Sequence, residues 1–456
     1  MPSPPESAIE TRVLRKVIWR LVPFMMLLYM FNYLDRINIS VAKLAMNPDL
    51  GMNEKMYGIG TAMFFIGYFF FEVPSNIMLE RFGARIWIAR IMISWGVVSA
   101  AFMFVKGATS FYLMRLLLGA TEAGFFPGIV LFLTYWIPAR KRAKVGAIFM
   151  TSIPLAGVIG QPLSSWIMES LNGVCGLKGW QWIFIVEGIP TILLGCTVYF
   201  FLTEKPANAK WLSPAQREWL STTIESENAL TRGSHGHHSL LQAMGNRRVW
   251  LLSLIYMALM FGFYPINYWT TTIVKESLDR DAQSGTLRVG LLSAVPFAAA
   301  IAGMVVISII ADRTGKRRGV MICSATAGVA GLVLAAYTQT TATTVAALSL
   351  AAVGVFGSLS PFWTLPSAFL TGTAAAAAIA FINSWGNLAG GFIGNLAMGA
   401  LKDHYTGKVE RPYMYGLLVD AAVLSIGIVL ALGLRMRPAN KGSEDLRPEA
   451  LPSASK

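Results

Sequence analysis

Among the ionisable residues inside long apolar runs of this sequence, Asp35, Arg36, Glu72, Arg115, Glu122 and Glu187 stand out. A charge at the centre of a bilayer costs at least ~2.5 kcal/mol on insertion scales, so each such group is paired or lines a wet cavity. Asp35 and Arg36 are neighbours in Asn32–Tyr33–Leu34–Asp35–Arg36–Ile37–Asn38. Adjacent helical residues point about 100° apart, so one can face a cavity while the other reaches a neighbouring helix. Arg115 and Glu122 lie seven residues apart, which puts a cation and an acid on one helix face about 10 Å apart along the axis. Gly119 and Gly124 thin that helix beside Glu122, and this favours a working role for the acid over a structural one. Arg115 can offer a carboxylate a planar fork of N–H groups. Asp35 and Glu122 can exchange protons. Glu187 sits near the end of its run and Glu72 just before Pro74, and for both a structural role is equally open.

The second half of the chain offers neutral polar groups instead: Tyr264, Asn267, Tyr268 and Trp269, then Ser360, Trp363 and Thr364, then Asn383, Ser384 and Asn387. Asn383 and Asn387 share a helix face. The first half is thus expected to hold charge and protons, and the second to supply hydrogen bonds and stacking. Gly386, Gly390 and Gly394 form a small-xxx-small row, expected at a close helix contact. No H-E-x-x-H, phosphate loop or paired nucleophile and base is present, so an intramembrane enzyme is disfavoured.

These residues need a scaffold that crosses lipid. The chain has 456 residues, 55% hydrophobic and 14% charged. A soluble domain carries about 25% charged residues. About 20 apolar residues cross a bilayer core as a helix, and open sheets cannot. Spans are expected near 19–45, 57–79, 86–105, 110–137, 144–170 and 181–202, and then near 248–274, 287–311, 319–338, 343–370, 374–401 and 413–435. The fold class is therefore all-α, with twelve transmembrane helices in two six-helix halves. Residues 1–202 form the first half, 203–247 a cytoplasmic linker, and 248–456 the second half with a short tail. In the linker, Ser213–Pro214 reads as a helix start, with Trp211, Leu212, Trp219, Leu220 and Ile224 as an apolar stripe. His235, His237 and His238 have no Cys or carboxylate beside them and read as a solvated loop, with no metal site and no cofactor. Cys175, Cys196 and Cys323 are widely spaced and read as small apolar fillers.

The net charge of +14 has its source in alternate loops, among them Arg12, Arg15, Lys16 and Arg20, Arg140 to Lys144, and Arg313 to Arg318. Positive-inside logic places both termini in the cytoplasm and removes nucleic acid as an expected partner. No cleavable signal segment is expected, because Met1 to Thr11 is polar. Two of these loops repeat a pattern: Glu80–Arg81–Phe82–Gly83–Ala84–Arg85 and Asp312–Arg313–Thr314–Gly315–Lys316–Arg317. Glu80, Arg81, Asp312 and Arg313 are the expected gating-loop residues. Glycine permits the tight reversal, and the acid is expected to accept from a neighbouring helix end.

Taken together, these motifs resemble the major facilitator superfamily. Asn32 to Arg36, the run Arg115–x₃–Gly119–x₂–Glu122–Ala123–Gly124–x–Phe126–Pro127–Gly128, and Glu204–Lys205–Pro206 followed by Ala209 to Ser213 are similar to its anion:cation symporter branch. Ile153 to Gly160 resembles the tartrate and phthalate permease group most. The resemblance implies proton-coupled symport of a small organic anion, such as a tartrate, a sugar acid or an aromatic carboxylate. It implies Asp35 and Glu122 as protonation sites, Arg36 as the residue that tunes them, and Arg115 as the carboxylate anchor. Tyr33, Tyr264, Asn267, Tyr268, Trp363, Asn383 and Asn387 complete the expected substrate site. Galactonate-carrying relatives place a glutamine in the fifth span where this chain has Ile153–Pro154, so a compact or aromatic carboxylate gains weight. Anion exchange is the alternative, because Gly157–x₂–Gly160–Gln161–Pro162 is similar to an antiporter motif, although Ser164 and Ser165 replace its glycines. A non-transporting sensor of the same fold is a third reading, opposed by the lack of an output domain. The expected setting is the cell (inner) membrane, multi-pass and monomeric, with anion, protons and lipid as partners.

Overall fold

The computed structural model describes residues 8–232, 245–281, 285–366 and 372–434, and all of the regular structure among them is helical. Residues 8–201 form α1 (Ala8–Leu50), α2 (Glu54–Phe82), α3 (Ala84–Ala101), α4 (Ala108–Glu122), α5 (Phe125–Thr134), α6 (Ala139–Met150), α7 (Ser152–Ser170) and α8 (Gly179–Phe201). The segment α9 (Pro214–Arg232) follows. The second half holds α10 (Arg247–Arg280), α11 (Thr286–Thr314), α12 (Arg317–Tyr337), α13 (Thr341–Trp363), α14 (Gly372–Gly386), α15 (Asn395–Tyr405) and α16 (Met414–Gly433). A π-helical segment, Asn387–Gly394, joins α14 to α15.

Eleven helical stretches among the described residues are long and apolar enough to cross a membrane. They match eleven of the expected spans. The twelfth path, Gly372–Tyr405, is helical but changes winding at Asn387. The expected end of the preceding span, near 370, falls on residues 367–371, outside the described residues, as does the histidine run of the linker. The fourth span is two helices, because Gly124 turns left-handed at φ +86° between α4 and α5.

Lipid-facing side chains such as Phe70, Phe200 and Val429 are exposed, while Trp95, Trp136 and Trp269 are fully buried. Lipid tails supply no hydrophobic drive between helices, so small residues set the close contacts. A Cβ on Gly119 would lie 2.0 Å from the Phe64 carbonyl oxygen, and one on Gly67 would lie 2.1 Å from that of Leu116. The space beside Glu122 at Gly119 is therefore filled by the backbone of α2, and does not serve to admit water. The row Gly386, Gly390 and Gly394 packs on Tyr256, Met260 and Phe261 of α10, as expected of a close contact. Across the halves, α7 packs on α11, α1 on α10, and α2 on α15 and the π segment.

The linker helix starts where the sequence indicates. Ser213 Oγ accepts from the Gln216 N–H (3.3 Å), and Gln216 returns a bond to the Ser213 N–H (3.1 Å). Leu212, Leu220 and Ile224 are buried, and Trp211 stacks on Trp136 at 5.4 Å. At the first repeated loop, Gly83 takes φ +87°, and the Glu204 carboxylate accepts from the N–H groups of Ala84 (2.7 Å) and Arg85 (2.9 Å). Helix-capping there falls to Glu204 of the linker. Arg81, Asp312 and Arg313 are exposed. The three cysteines are exposed as well, so they do not fill the interior.

Candidate functional site

Between the halves lies a cluster of buried charge and aromatic rings. Asp35 and Arg36 diverge as helix geometry requires. Asp35 turns into the first half, where it accepts from Trp95 Nε1 (2.7 Å), Ser99 Oγ (2.7 Å) and Thr191 Oγ1 (3.2 Å). All of these donors are neutral, and they come from α3 and α8. Arg36 turns the other way and forms an ion pair with Glu122, using Nε and Nη2. Its guanidinium also lies 5.0 Å from the rings of Tyr33 and Phe64 and 5.3 Å from that of Tyr68. The acid on α4 is thus held by Arg36 of α1, while Arg115, its neighbour on the same face, stays apart.

Arg115 is 1% exposed. It makes no ion pair among the described residues, and its Nε and Nη2 meet no hydrogen-bond partner. It stands 5.0 Å from the Phe64 ring and 5.8 Å from the Tyr268 ring. One phenylalanine therefore separates two guanidinium groups, one neutralised and one open. The Tyr268 hydroxyl and the Asn32 amide also lack partners.

The second half closes over this cluster with rings and amides. Tyr264 packs on Phe65 at 4.6 Å, stacks on Tyr268 at 6.1 Å, and donates its hydroxyl to Asn387 Oδ1 (2.8 Å). Tyr33 meets Phe263 edge-on at 6.3 Å. Asn267 spends its amide N–H on the Phe263 carbonyl (2.7 Å) and leaves Oδ1 without a partner. Asn383 accepts from the Tyr256 hydroxyl and donates to Glu72, both at 3.5 Å, and Ser384 donates to Glu72 at 2.8 Å. Trp363 packs 4.8 Å from Tyr256. Tyr268 of α10 thus stands beside Arg115 with Tyr264 and Asn387 next to it, whereas Asn383 of α14 meets Glu72 and Ser360 bonds Ser308 within the second half.

The comparisons agree with this architecture. The Major Facilitator Superfamily profile matches residues 25–395. The chain belongs to the major facilitator superfamily. It is a multi-pass membrane transporter and not an enzyme. A protein of Agrobacterium vitis named "Putative tartrate transporter" is 46% identical over 96% of this chain and 98% of its own length. The inner membrane transport protein RhmT of Escherichia coli (strain K12) is 34% identical over 94% of this chain and 97% of its own. Among solved structures, the partially occluded inward-open xylose transporter XylE of E. coli superposes with a TM-score of 0.69 at 14% identity, covering 92% of this chain and 100% of that one. A bacterial homologue of the human lysosomal transporter Spinster, inward-facing and occupied, gives 0.71 at 15% identity over 90% and 95%.

Several polar groups of this superfamily member were given no site role by the sequence. Gln161 of α7 bonds Ser40 (3.2 Å) and accepts from Thr271 (2.8 Å), so the fifth span does carry a glutamine, two turns beyond Ile153. The spans of the second half are also not free of charge. Asp420 is buried in α16, and its Oδ2 meets no partner. Lys402 of α15 forms ion pairs with Glu54 and Glu276. Lys402 and Glu276 lie at helix ends and read in sequence as loop charges, while Asp420 stands six residues inside an apolar run and carried the same signal as Glu122.

Proposed function

We propose that this chain is a secondary active symporter that carries a small organic anion with protons by alternating access. The observation that supports it best is Arg115. A buried guanidinium with two unpartnered N–H groups is costly in the bilayer interior. A carboxylate that accepts from both removes that cost with two charge-assisted bonds. The aromatic walls, from Tyr33 and Phe64 to Tyr264 and Tyr268, suit a compact or flat carboxylate, in keeping with a relative named for tartrate.

Proton exchange falls to Asp35 and Glu122. Asp35 meets only neutral donors, so it can be held with or without its proton. Protonation of Glu122 releases Arg36 from its ion pair and frees a second cation for the substrate. Residues 1–202 and 248–456 act as the two rocking halves with 203–247 as the link. The basic loops support a cytoplasmic position for both termini, in the cell's inner membrane.

The test is uptake by the purified, reconstituted protein of labelled tartrate, phthalate, hydroxyphenylacetate and galactonate, with and without an inward proton gradient. Accumulation of at least one carboxylate that collapses with the gradient supports the reading. Uptake that is indifferent to the gradient for every carboxylate taken up would sink the proton coupling.

A further inference from the structure

At the end of the bundle that holds Ala8, two hollows meet along the start of α1. One, of about 620 Å³, lies between α1 and the linker helix α9 and is lined by Thr11, Arg12, Arg15, Lys16, Trp19 and Gln216. The other, of about 500 Å³, runs between α1 and α6, past Ile18, Val22 and Met26 on one side and Lys141, Val145 and Ile148 on the other. Thr11, Arg15 and Trp19 line both, so the two form one depression with a basic end and an apolar end.

Helix geometry sorts the two ends. Arg12, Arg15 and Trp19 recur at spacings of three and four and share a face. From Arg15 to Met26 the lining of α1 runs about 16 Å along the axis, and it passes from cations through an indole to aliphatic side chains. On α6 the same order repeats over two turns, from Lys141 through Val145 to Ile148. Glu10, near the start of α1, pairs with Arg140, near the start of α6, so the two gradients begin side by side.

The basic end is not spent within the protein. The acids nearby are committed, Glu10 to Arg140 and Glu227 to Arg142. Lys16 donates to the Trp211 carbonyl. Among the described residues Arg12 and Arg15 form no ion pair and no hydrogen bond. The apolar end is open, with Trp19 75% exposed and Ile148 42% exposed. Exposed aliphatics on a spanning helix face acyl chains, and an indole settles at the level of the headgroups. A small soluble anion would answer the arginines and leave the groove uncovered. An uncharged lipid would do the reverse.

We propose that this depression binds one anionic phospholipid of the leaflet on the side of Ala8. Its phosphate accepts from Arg12 and Arg15, whose planar donors suit phosphate oxygens. One acyl chain lies in the groove between α1 and α6, with the Trp19 indole at the junction of head and tail.

The test uses the purified full chain in detergent, titrated with phosphatidylglycerol or phosphatidylcholine carrying the same brominated acyl chains. Bromine quenches a tryptophan it touches, and the Trp19 signal is the difference between the parent and Trp19→Phe. Phosphatidylglycerol should quench Trp19 at a lower mole fraction than phosphatidylcholine. A cation near an anionic headgroup is worth about fivefold in binding, so Arg12→Gln with Arg15→Gln should shrink that preference roughly 25-fold. Arg12→Lys with Arg15→Lys should restore most of it, which separates lost charge from lost fold. Arg313→Gln with Arg317→Gln removes the same charge from an exposed loop of the second half, beside Leu434, and should leave the preference unchanged. Equal quenching by the two lipids overturns the site. So does an equal loss in the Arg313 and Arg317 variant, which would reduce the effect to the general field of the basic face. Displacement of phosphatidylglycerol by millimolar glycerol phosphate would show a site for free phosphate esters and overturn the lipid. Neither cargo nor coupling enters the measurement, so failure of the symport reading would leave this result standing.

Discussion

Replacing Arg115 separates anchoring from folding. Its Nε and Nη2 both lack partners, so a bound carboxylate gains two bonds there. A lysine ammonium at that point supplies one of the two and no planar fork. A hydrogen bond to a charged group contributes ~1.5–3 kcal/mol, so Arg115→Lys should weaken substrate binding about 10- to 150-fold. Arg115→Met keeps the stem and removes the cation, and binding should vanish. The substrate-free protein should melt no lower than the parent, because Arg115 breaks no ion pair when it is removed. Removing an unpaired buried cation relieves a cost. The assay is a thermal-shift titration, with calorimetry, using whichever carboxylate the reconstituted parent takes up. An unchanged Kd for Arg115→Lys would refute the fork. A collapse of stability in Arg115→Met would show that the arginine holds the fold instead.

Glu122→Gln leaves Arg36 buried without its carboxylate, which should cost about 3–5 kcal/mol of stability. It should also keep substrate counterflow and lose accumulation driven by a pH gradient; paired assays on one reconstituted sample check both. Asp35→Asn should keep counterflow and weaken, without abolishing, accumulation driven by a pH gradient, with a smaller stability loss because it breaks bonds to neutral donors only. Gly119→Ala should destabilise by about 1–3 kcal/mol through overpacking, because its Cβ would meet the α2 backbone, and a denaturation midpoint reads this directly. Cys175, exposed in the loop between α7 and α8, should react with an impermeant maleimide on intact cells, whereas Arg313→Cys in a Cys175→Ser background should react only after permeabilisation; the reverse pattern overturns the orientation.

The spans were legible because lipid forces a simple code: about 20 apolar residues per crossing, with basic residues in alternate loops. The divergence of Asp35 and Arg36 was legible too, because it needs only the helical period. The pairing of Arg36 with Glu122 was not. It joins residues 86 apart in sequence, and spacing along α4 favoured Arg115 as the acid's neighbour. Gly119 misled for a related reason. A glycine in a membrane helix shows that something comes close, and only packing reveals that α2, and not water, fills the gap. The outer charges were hidden by position. Lys402 and Glu276 sit at helix ends, where a charge is ordinary, and become informative once α2 and α15 are seen to touch.

The charge balance of the site sets what it can carry across. Arg36 and Arg115 are matched in number by Glu122 and Asp35, so the empty, fully ionised site is neutral. Among the described residues Glu72 and Glu187 form no ion pair and accept from fewer donors than Asp35, and are counted as neutral. An anion alone makes the site negative, and a proton alone makes it positive. Rocking the halves carries the site through a medium where uncompensated charge is expensive. Two forms then cross readily: the empty ionised site, and the site loaded with one proton per carboxylate. Asp35 and Glu122 together can hold the protons that a dicarboxylate demands. A monocarboxylate should therefore travel with one proton and a dicarboxylate with two, and neither should generate current. Asp35→Asn removes one proton site and leaves the empty form positive. Its dicarboxylate uptake should take up half as many protons and become electrogenic. Proton uptake by a pH indicator and current on a solid-supported membrane, recorded on the same vesicles, measure both. A parent current that grows in step with dicarboxylate uptake would show that these acids do not balance these arginines, and that the coupling charge is carried elsewhere in the protein.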